Sequence, residues 1–279
     1  MSTPSAAPAI RIIRPRSGWQ PLDLKELWEY RDLFYFLVWR DVKSRYAQSI
    51  LGLGWAVIQP VFSMIVFTVV FGNLAKIPSD GVPYAIFSFT ALVPWTYFSG
   101  ALTGATGSLL GATGLMSKVY FPRLIIPIVP MLGKLVDFGI ALLLLFGLMA
   151  WFRIAPTPAA VTLPFLVILM FLTAGGMGMW LTSLAIQYRD VNYAMTFFVQ
   201  LLMYSAPVVY PTSIVPAKYR LLYGLNPMVG VIEGFRSALL GTHPMPWDLL
   251  AVGSITALAI ALSGAVYFRR MERIFVDVV

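Results

Sequence analysis

Residues 46–75 read YAQSILGLGWAVIQPVFSMIVFTVVFGNLA, a run without one Asp, Glu, Lys or Arg. A helix of about 20 mostly apolar residues crosses the hydrocarbon core of a bilayer, so this stretch alone places the chain in a membrane. Working outward, charge-free runs also cover residues 81–117, 154–188, 191–217 and 249–268. Residues 124–152 are equally apolar apart from Lys134 and Asp137. Trimmed to helical length, these runs predict spans near 51–72, 84–110, 124–151, 161–186, 193–211 and 249–268. The expected fold is an all-α integral membrane protein with six transmembrane helices and both termini on one side.

Composition supports that class. The 279 residues are 59% hydrophobic and 11% charged, with a mean hydropathy of +0.79, whereas soluble domains carry about 25% charged residues. Residues 1–49 hold 13 charged side chains and residues 50–268 only 14. With cytoplasmic termini, the inside segments carry 14 Lys and Arg and the outside loops 5, which the positive-inside rule favours. The net charge of +8 is thereby explained by topology, and nucleic acid is not an expected partner. There is no Cys and one His, His243, which removes disulfides, thiol catalysis and His- or Cys-rich metal centres. The first 30 residues hold no apolar core of a cleavable leader, so the spans themselves are expected to direct insertion. No phosphate-cradling G-x-x-x-x-G-K-[ST], no H-E-x-x-H and no carboxylate cluster within a span is present. His243 and Asp248 have no Ser in a nucleophile motif beside them, so His243 reads as a loop residue.

Three segments are neither spans nor plain loops. Residues 23–46 interleave Leu24, Leu27, Trp28, Leu33, Phe34 and Leu37 with charges, the pattern of an amphipathic helix lying in the interface among membrane lipids. Trp28, Tyr30, Tyr35 and Trp39 are expected at headgroup level. Residues 1–22 read as a flexible cytoplasmic tail. On the inner side, residues 114–123 place Leu115, Met116, Val119, Tyr120 and Phe121 beside Lys118 and Arg123; such an apolar face in a loop calls for a partner to cover it. On the outer side, residues 211–241 hold a 13-residue apolar block from 228 to 240, interrupted by Glu233 and Arg236. That length suits a re-entrant helix rather than a span, and the prolines around it predict two short helices over an outer mouth. Within the spans, Lys134 and Asp137 lie three residues apart and can pair. Gly100, Gly104, Gly107, Gly111, Gly175, Gly176 and Gly178 predict close helix approach. The aromatic content of 14% fits interfacial belts, or rings lining a pathway.

Five of these stretches, taken in order, carry a resemblance. Arg40-Asp41-Val42-Lys43-Ser44-Arg45-Tyr46, continuing to Gln59-Pro60, resembles the approach to the first span in ABC-2 type polysaccharide export permeases. Lys118-Val119-Tyr120-Phe121-Pro122-Arg123 is similar to the family's coupling element, and Tyr188-Arg189-Asp190-Val191 to the motif after span four. Tyr210-Pro211, Leu225-Asn226-Pro227-Met228 and Ile232-Glu233-Gly234-Phe235-Arg236 resemble its outer cap.

The resemblance implies a homodimeric permease joined to two copies of a separate ATP-binding subunit, with ATP and Mg held there and no cofactor or enzyme activity in this chain. It implies that residues 23–46 form a gate helix, residues 114–123 dock on the ATP-binding subunit, and residues 211–241 form periplasmic gate helices that include Tyr210, Pro211, Asn226, Pro227, Glu233 and Arg236. A lipid-linked polysaccharide, of O-antigen type on a polyprenyl diphosphate, is the implied cargo across the bacterial inner membrane. Arg40, Lys43 and Arg45 would then meet the diphosphate at the entrance, or else serve only as topogenic cations on anionic lipid. The alternatives are an ABC-2 permease for a drug or another lipid, and a membrane-embedded transferase.

Overall fold

The computed structural model describes residues 28–47, 52–116, 118 and 120–272, and all regular structure among them is helical. The expectations for residues 1–22, for the start of the amphipathic segment and for Val119 lie outside the described residues. In chain order the helices are α1 (Arg31–Tyr46), α2 (Trp55–Phe67, continuing through a wider π-turn at Thr68–Leu74), α3 (Tyr84–Gly111), α4 (Ile125–Trp151), α5 (Leu163–Gln187), α6 (Asp190–Tyr204), α7 (Pro227–Leu240) and α8 (Trp247–Met271).

Among the described residues, five helical stretches are long and apolar enough to cross a bilayer: Trp55–Leu74, Tyr84–Gly111, Ile125–Trp151, Pro158–Gln187 and Trp247–Met271. They fall within a few residues of five expected spans. The sixth expectation, 193–211, is met differently. Its helix, α6, has 15 residues and ends at Tyr204, after which residues 205–211 are non-helical, with Ala206, Val208 and Val209 buried. Pro207 and Pro211 bracket this stretch, and proline supplies no backbone donor for a continuing helix.

The bundle is built around α3, which packs on α4, α5 and α7. In α3 78% of the apolar stretch is buried, against 6% in the first span. Helix α2 therefore stands at the edge, its Phe62, Ile65 and Val69 exposed. Glycine placement explains part of the packing. A Cβ on Gly176 of α5 would lie 2.6 Å from the backbone of Ala261 in α8, and one on Gly178 would lie 2.8 Å from Ala105; only glycine permits those approaches. Gly104 faces Pro130, and Gly100 faces the Lys134 stem. Gly111, by contrast, faces open space, so the close approach expected at that glycine is not made.

A second apolar cluster closes one end of the bundle, joining Leu37 of α1 to Leu109, Phe121, Ile126, Phe268 and Met271. The first and last described helices thus meet at the same end of the bundle. Leu33, Phe34 and Val38 pack α1 onto this cluster, while Trp28, Tyr35, Phe36 and Trp39 remain exposed. Tyr30, expected beside them at headgroup level, instead packs inward on the cluster.

Candidate functional site

At the inner end, α1 is pinned to α4 by a charged cluster. Asp137 of α4 accepts from Lys134 Nζ at 2.8 Å, from Arg45 Nη1 at 3.3 Å and from the Tyr46 hydroxyl. Arg45 also donates to Asp41, one turn earlier on α1, and reaches the Pro130 carbonyl at 3.5 Å. Gly133 makes this possible: any side chain there would collide with Arg45 and Asp41. The three expected diphosphate ligands are therefore not equivalent. Arg40 and Lys43 are exposed, with the Lys43 ammonium 4.7 Å above the Trp39 ring, whereas Arg45 is engaged inside the protein. The cluster borders a cavity of about 670 Å³ between α1, α2, α3 and α4.

The inner loop divides its expected docking residues. A single helical turn, Thr113–Met116, opens it, with Leu115 and Met116 half-buried and Lys118 and Tyr120 exposed. Phe121 is 4% exposed inside the second cluster, so it anchors the loop to its own chain. Arg123 donates to the Glu272 carbonyl at 2.6 Å, which ties the loop to the end of α8.

The outer cap forms around α7, whose every residue is buried. Its boundaries follow from side-chain chemistry. The Asn226 side chain accepts from the Met228 N–H at 3.1 Å, Pro227 takes the first helical position, where no donor is needed, and Gly241 ends the helix with φ +67°. These are a helix's preferred start and stop residues. The segment before it departs from expectation: residues 211–223 form short turns at Thr212–Ile214, Ala217–Tyr219 and Arg220–Tyr223 rather than one helix, because Pro211 and Pro216 interrupt it.

Arg236 is the centre of this cap. It is fully buried, pairs with Glu233 at 2.7 Å, and lies with its guanidinium carbon 3.6 Å from the Phe87 ring centroid. It also donates to the carbonyls of Val208 at 3.1 Å and Tyr210 at 3.3 Å. The Tyr84 hydroxyl serves the intervening Val209 carbonyl at 2.6 Å. Three consecutive carbonyls of the non-helical stretch after α6 are thus satisfied by side chains, which is the condition for irregular backbone at membrane depth. Sequence reading placed Glu233 and Arg236 in the cap but missed Tyr84, which carried only the signal of a span-leading aromatic. Beside them the Tyr210 and Tyr223 hydroxyls lie 2.9 Å apart, and burial, with Tyr210 adjacent, pushes the Tyr223 phenol up. That phenol stays neutral and protonated.

His243 pairs with Asp80 at 3.0 Å, and Ser213 donates to the other Asp80 oxygen at 3.1 Å. The carboxylate lies between Ser and His, the wrong order for a His-activated nucleophile. Among the described residues no group of three His, Cys, Asp or Glu is placed to hold a metal ion.

A bundle of long apolar helices, with the buried α7 at one end and α1 pinned to α4 at the other, is an all-α membrane architecture, and the comparison with known families decides which. The pattern of ABC-2 type transporters matches residues 32–240. The chain belongs to the ABC-2 type transporter family. The matched region runs from α1 through α7, so the pinned helix and the buried cap both fall within it. An O-antigen export system permease protein RfbA of Myxococcus xanthus is 26% identical over 253 residues, covering 89% of this chain and 96% of that protein. One of the same description from Klebsiella pneumoniae is 21% identical over 249 residues, covering 88% and 95%. The polysialic acid transport protein KpsM of Escherichia coli is 22% identical over 244 residues, covering 84% and 91%.

Proposed function

We propose that this ABC-2 protein is the permease subunit of an ATP-driven polysaccharide exporter. The cargo is a lipid-linked glycan, of O-antigen type on a polyprenyl diphosphate, carried out of the bacterial cytoplasm across the inner membrane. The observation that carries this reading is the likeness, over 89% of this chain and 96% of the other, to a relative named for O-antigen export. ATP and Mg belong to two copies of a separate ATP-binding subunit, consistent with a sequence that has no phosphate-cradling loop.

The permease acts as a homodimer in this reading. The exposed apolar sides of α2 (Phe62, Val69, Leu74) and α6 (Tyr193, Phe197, Leu201) are surfaces that a second copy would cover. The loop at 114–123 meets the ATP-binding subunit through Tyr120 and Lys118, while Phe121 holds the loop's shape from within. Arg40 and Lys43 receive the diphosphate at the membrane surface by charge-assisted hydrogen bonds, and Arg45 fixes the helix that presents them. Residues 211–241 gate the outer mouth.

The test is complementation. In a bacterium lacking its own O-antigen permease, this chain with its ATP-binding partner should restore polymer at the cell surface, read by surface immunoblot. Undecorated cells in which the complex is inserted and hydrolyses ATP would instead favour a drug or another lipid as cargo.

A further inference from the structure

Beside the buried cap, three outer connections meet at one carboxylate that the export reading leaves without a role. Ser79-Asp80-Gly81-Val82 is a tight turn, closed by the Val82 N–H on the Ser79 carbonyl at 3.2 Å, with φ +51° at Asp80 and +86° at Gly81. Positive φ at both central residues is the type I′ geometry, and aspartate is one of the few side chains that tolerates it. The turn presents Asp80 at its tip.

Two other connections reach that tip. Ser213, in the short turn after α6, donates to Asp80 Oδ1 at 3.1 Å. His243, in the connection from α7 to α8, brings Nε2 to 3.0 Å from Oδ2. The His243 carbonyl accepts from the Ser237 hydroxyl at 2.7 Å, so this loop is fixed to α7 while its imidazole meets the turn. The contact thus joins the α2–α3 connection, the segment entering the cap and the segment leaving it.

Solvent sets the charge of this contact. The Asp80 side chain is 11% exposed and the His243 side chain 46%, so protons reach the imidazole directly. Oδ2 has no aligned hydrogen bond among the described residues. Its attraction to His243 is therefore that of an ion pair, full when the imidazole is protonated and weak when it is neutral. Imidazole is the side chain that ordinarily changes charge between pH 5 and 8, and the chain has one His. The other charges on the elements that meet here are Lys76 before the turn, Lys218 and Arg220 after α6, Glu233 and Arg236 on α7, and Asp248 on α8. Arg236 is paired with Glu233 and Arg220 with Asp248, while Lys76 and Lys218 are exposed. The phenols of Tyr84, Tyr210 and Tyr223 carry no charge in that range. Arg236 also attracts Asp80 through space, a fixed cation behind the carboxylate, which leaves His243 as the member whose charge varies.

We infer that His243 and Asp80 form a pH-sensitive latch on the outer cap, closed when the outer face is acid. Protonated His243 clamps the α2–α3 turn onto the loop leaving α7, and through Ser213 the turn holds the segment entering the cap. The stabilisation is present at low pH and is lost as pH rises through the imidazole range, where the three connections loosen. The latch rests on the outer-gate reading for its consequence, the closing of residues 211–241, and not for its chemistry.

The experiment uses the full chain in lipid nanodiscs and measures amide hydrogen exchange on either side of the imidazole range, at about pH 5.5 and about pH 7.5, with labelling times scaled for the intrinsic rate. Protection of residues 76–83, 211–216 and 241–246 should be about two- to fivefold greater at the lower pH, the range for a partly exposed ion pair. Exchange in α3 and α5 should not change, which also shows that each variant is folded. His243→Gln should erase the difference and exchange at both pH values as the wild type does at the higher one. Asp80→Asn should erase it as well. Equal wild-type protection at the two pH values, or a difference that survives in His243→Gln, would overturn the latch. Surface display of polymer keeps the two readings apart. Polymer export with pH-independent exchange removes the latch alone, whereas His243-dependent protection without export keeps the latch and removes the gate's assigned role.

Discussion

Glu233–Arg236 and Lys134–Asp137 are acid–base pairs with the same three-residue spacing on a helix, and the fold uses them in opposite ways. Glu233 and Arg236 of α7 have side chains 5% and 0% exposed, while Asp137 and Lys134 of α4 are 24% and 32% exposed. The outer pair is sealed against backbone carbonyls and an aromatic ring. The inner pair is shared with Arg45 and Tyr46 of another helix and borders a cavity. Burying ions is expensive unless every donor and acceptor finds a partner. Arg236 meets most of that condition, its two Nη groups reaching a carboxylate and two carbonyls while its buried Nε has no hydrogen-bond partner among the described residues, so the outer pair is a structural rivet for an unwound stretch. The inner pair, left partly accessible, can exchange partners. The same spacing gives a fixed joint at one end of the bundle and a releasable clasp at the other.

The largest expected effect comes from breaking the rivet. Arg236→Met leaves Glu233 as an uncompensated buried carboxylate and strips the Val208 and Tyr210 carbonyls of their donor. Removing one partner of a buried pair costs about 3–5 kcal/mol, so the variant should lose most of its folded yield and melt well below the wild type in nanodiscs. The double change Glu233→Gln with Arg236→Met should recover part of the loss. A wild-type melting profile for Arg236→Met alone would erase the contrast between the pairs.

Breaking the clasp should have a smaller and more local effect. Asp137→Asn removes the negative charge and one of the two acceptor oxygens that Lys134, Arg45 and Tyr46 share. Hydrogen bonds to a charged group contribute roughly 1.5–3 kcal/mol each when buried, and partial exposure lowers that. The bundle should stay folded while α1 loosens, seen as faster hydrogen exchange across residues 31–46 with unchanged exchange in α3 and α7. Uniform destabilisation would mean that the inner cluster is a second rivet.

The two pairs also differed in how well the sequence exposed them. Lys134 and Asp137 stand out because they interrupt an apolar run, and their spacing alone predicts the bond. Arg45 as a third member was not legible: it reads as one of three juxtamembrane cations, and its seat beside Gly133 of α4 appears only once the chain is folded. Glu233 and Arg236 were legible as cap residues by resemblance, but their complete burial depends on α7 being enclosed by α3, α5 and α8. Span positions were read well because hydrophobic length is a local property. The end of the fifth was not, since charge-free sequence runs through residues 205–211 whether the backbone is helical or unwound. Phe121 shows the same limit, because an aromatic beside cations reads as a docking anchor until the chain is seen to fold over it.

A third acid–base pair calibrates the scale. Arg220 and Asp248 join the turn before α7 to the first turn of α8 with a two-pronged contact, Nε to Oδ2 at 2.7 Å and Nη2 to Oδ1 at 3.3 Å. The geometry is as good as that of either other pair, yet the side chains are 45% and 43% exposed. Water solvates both ions when the contact opens, and salt screens them when it is closed. Exposed pairs of this kind contribute about 0–1 kcal/mol, so Arg220→Gln should shift the melting midpoint least of the three variants, and the shift should shrink further at high salt. The Arg236→Met shift, set behind buried walls, should keep its size under the same salt. If Arg220→Gln instead matched Arg236→Met, burial would not be what separates these pairs, and the turn at 220–223 would have to be holding α7 in place through α8.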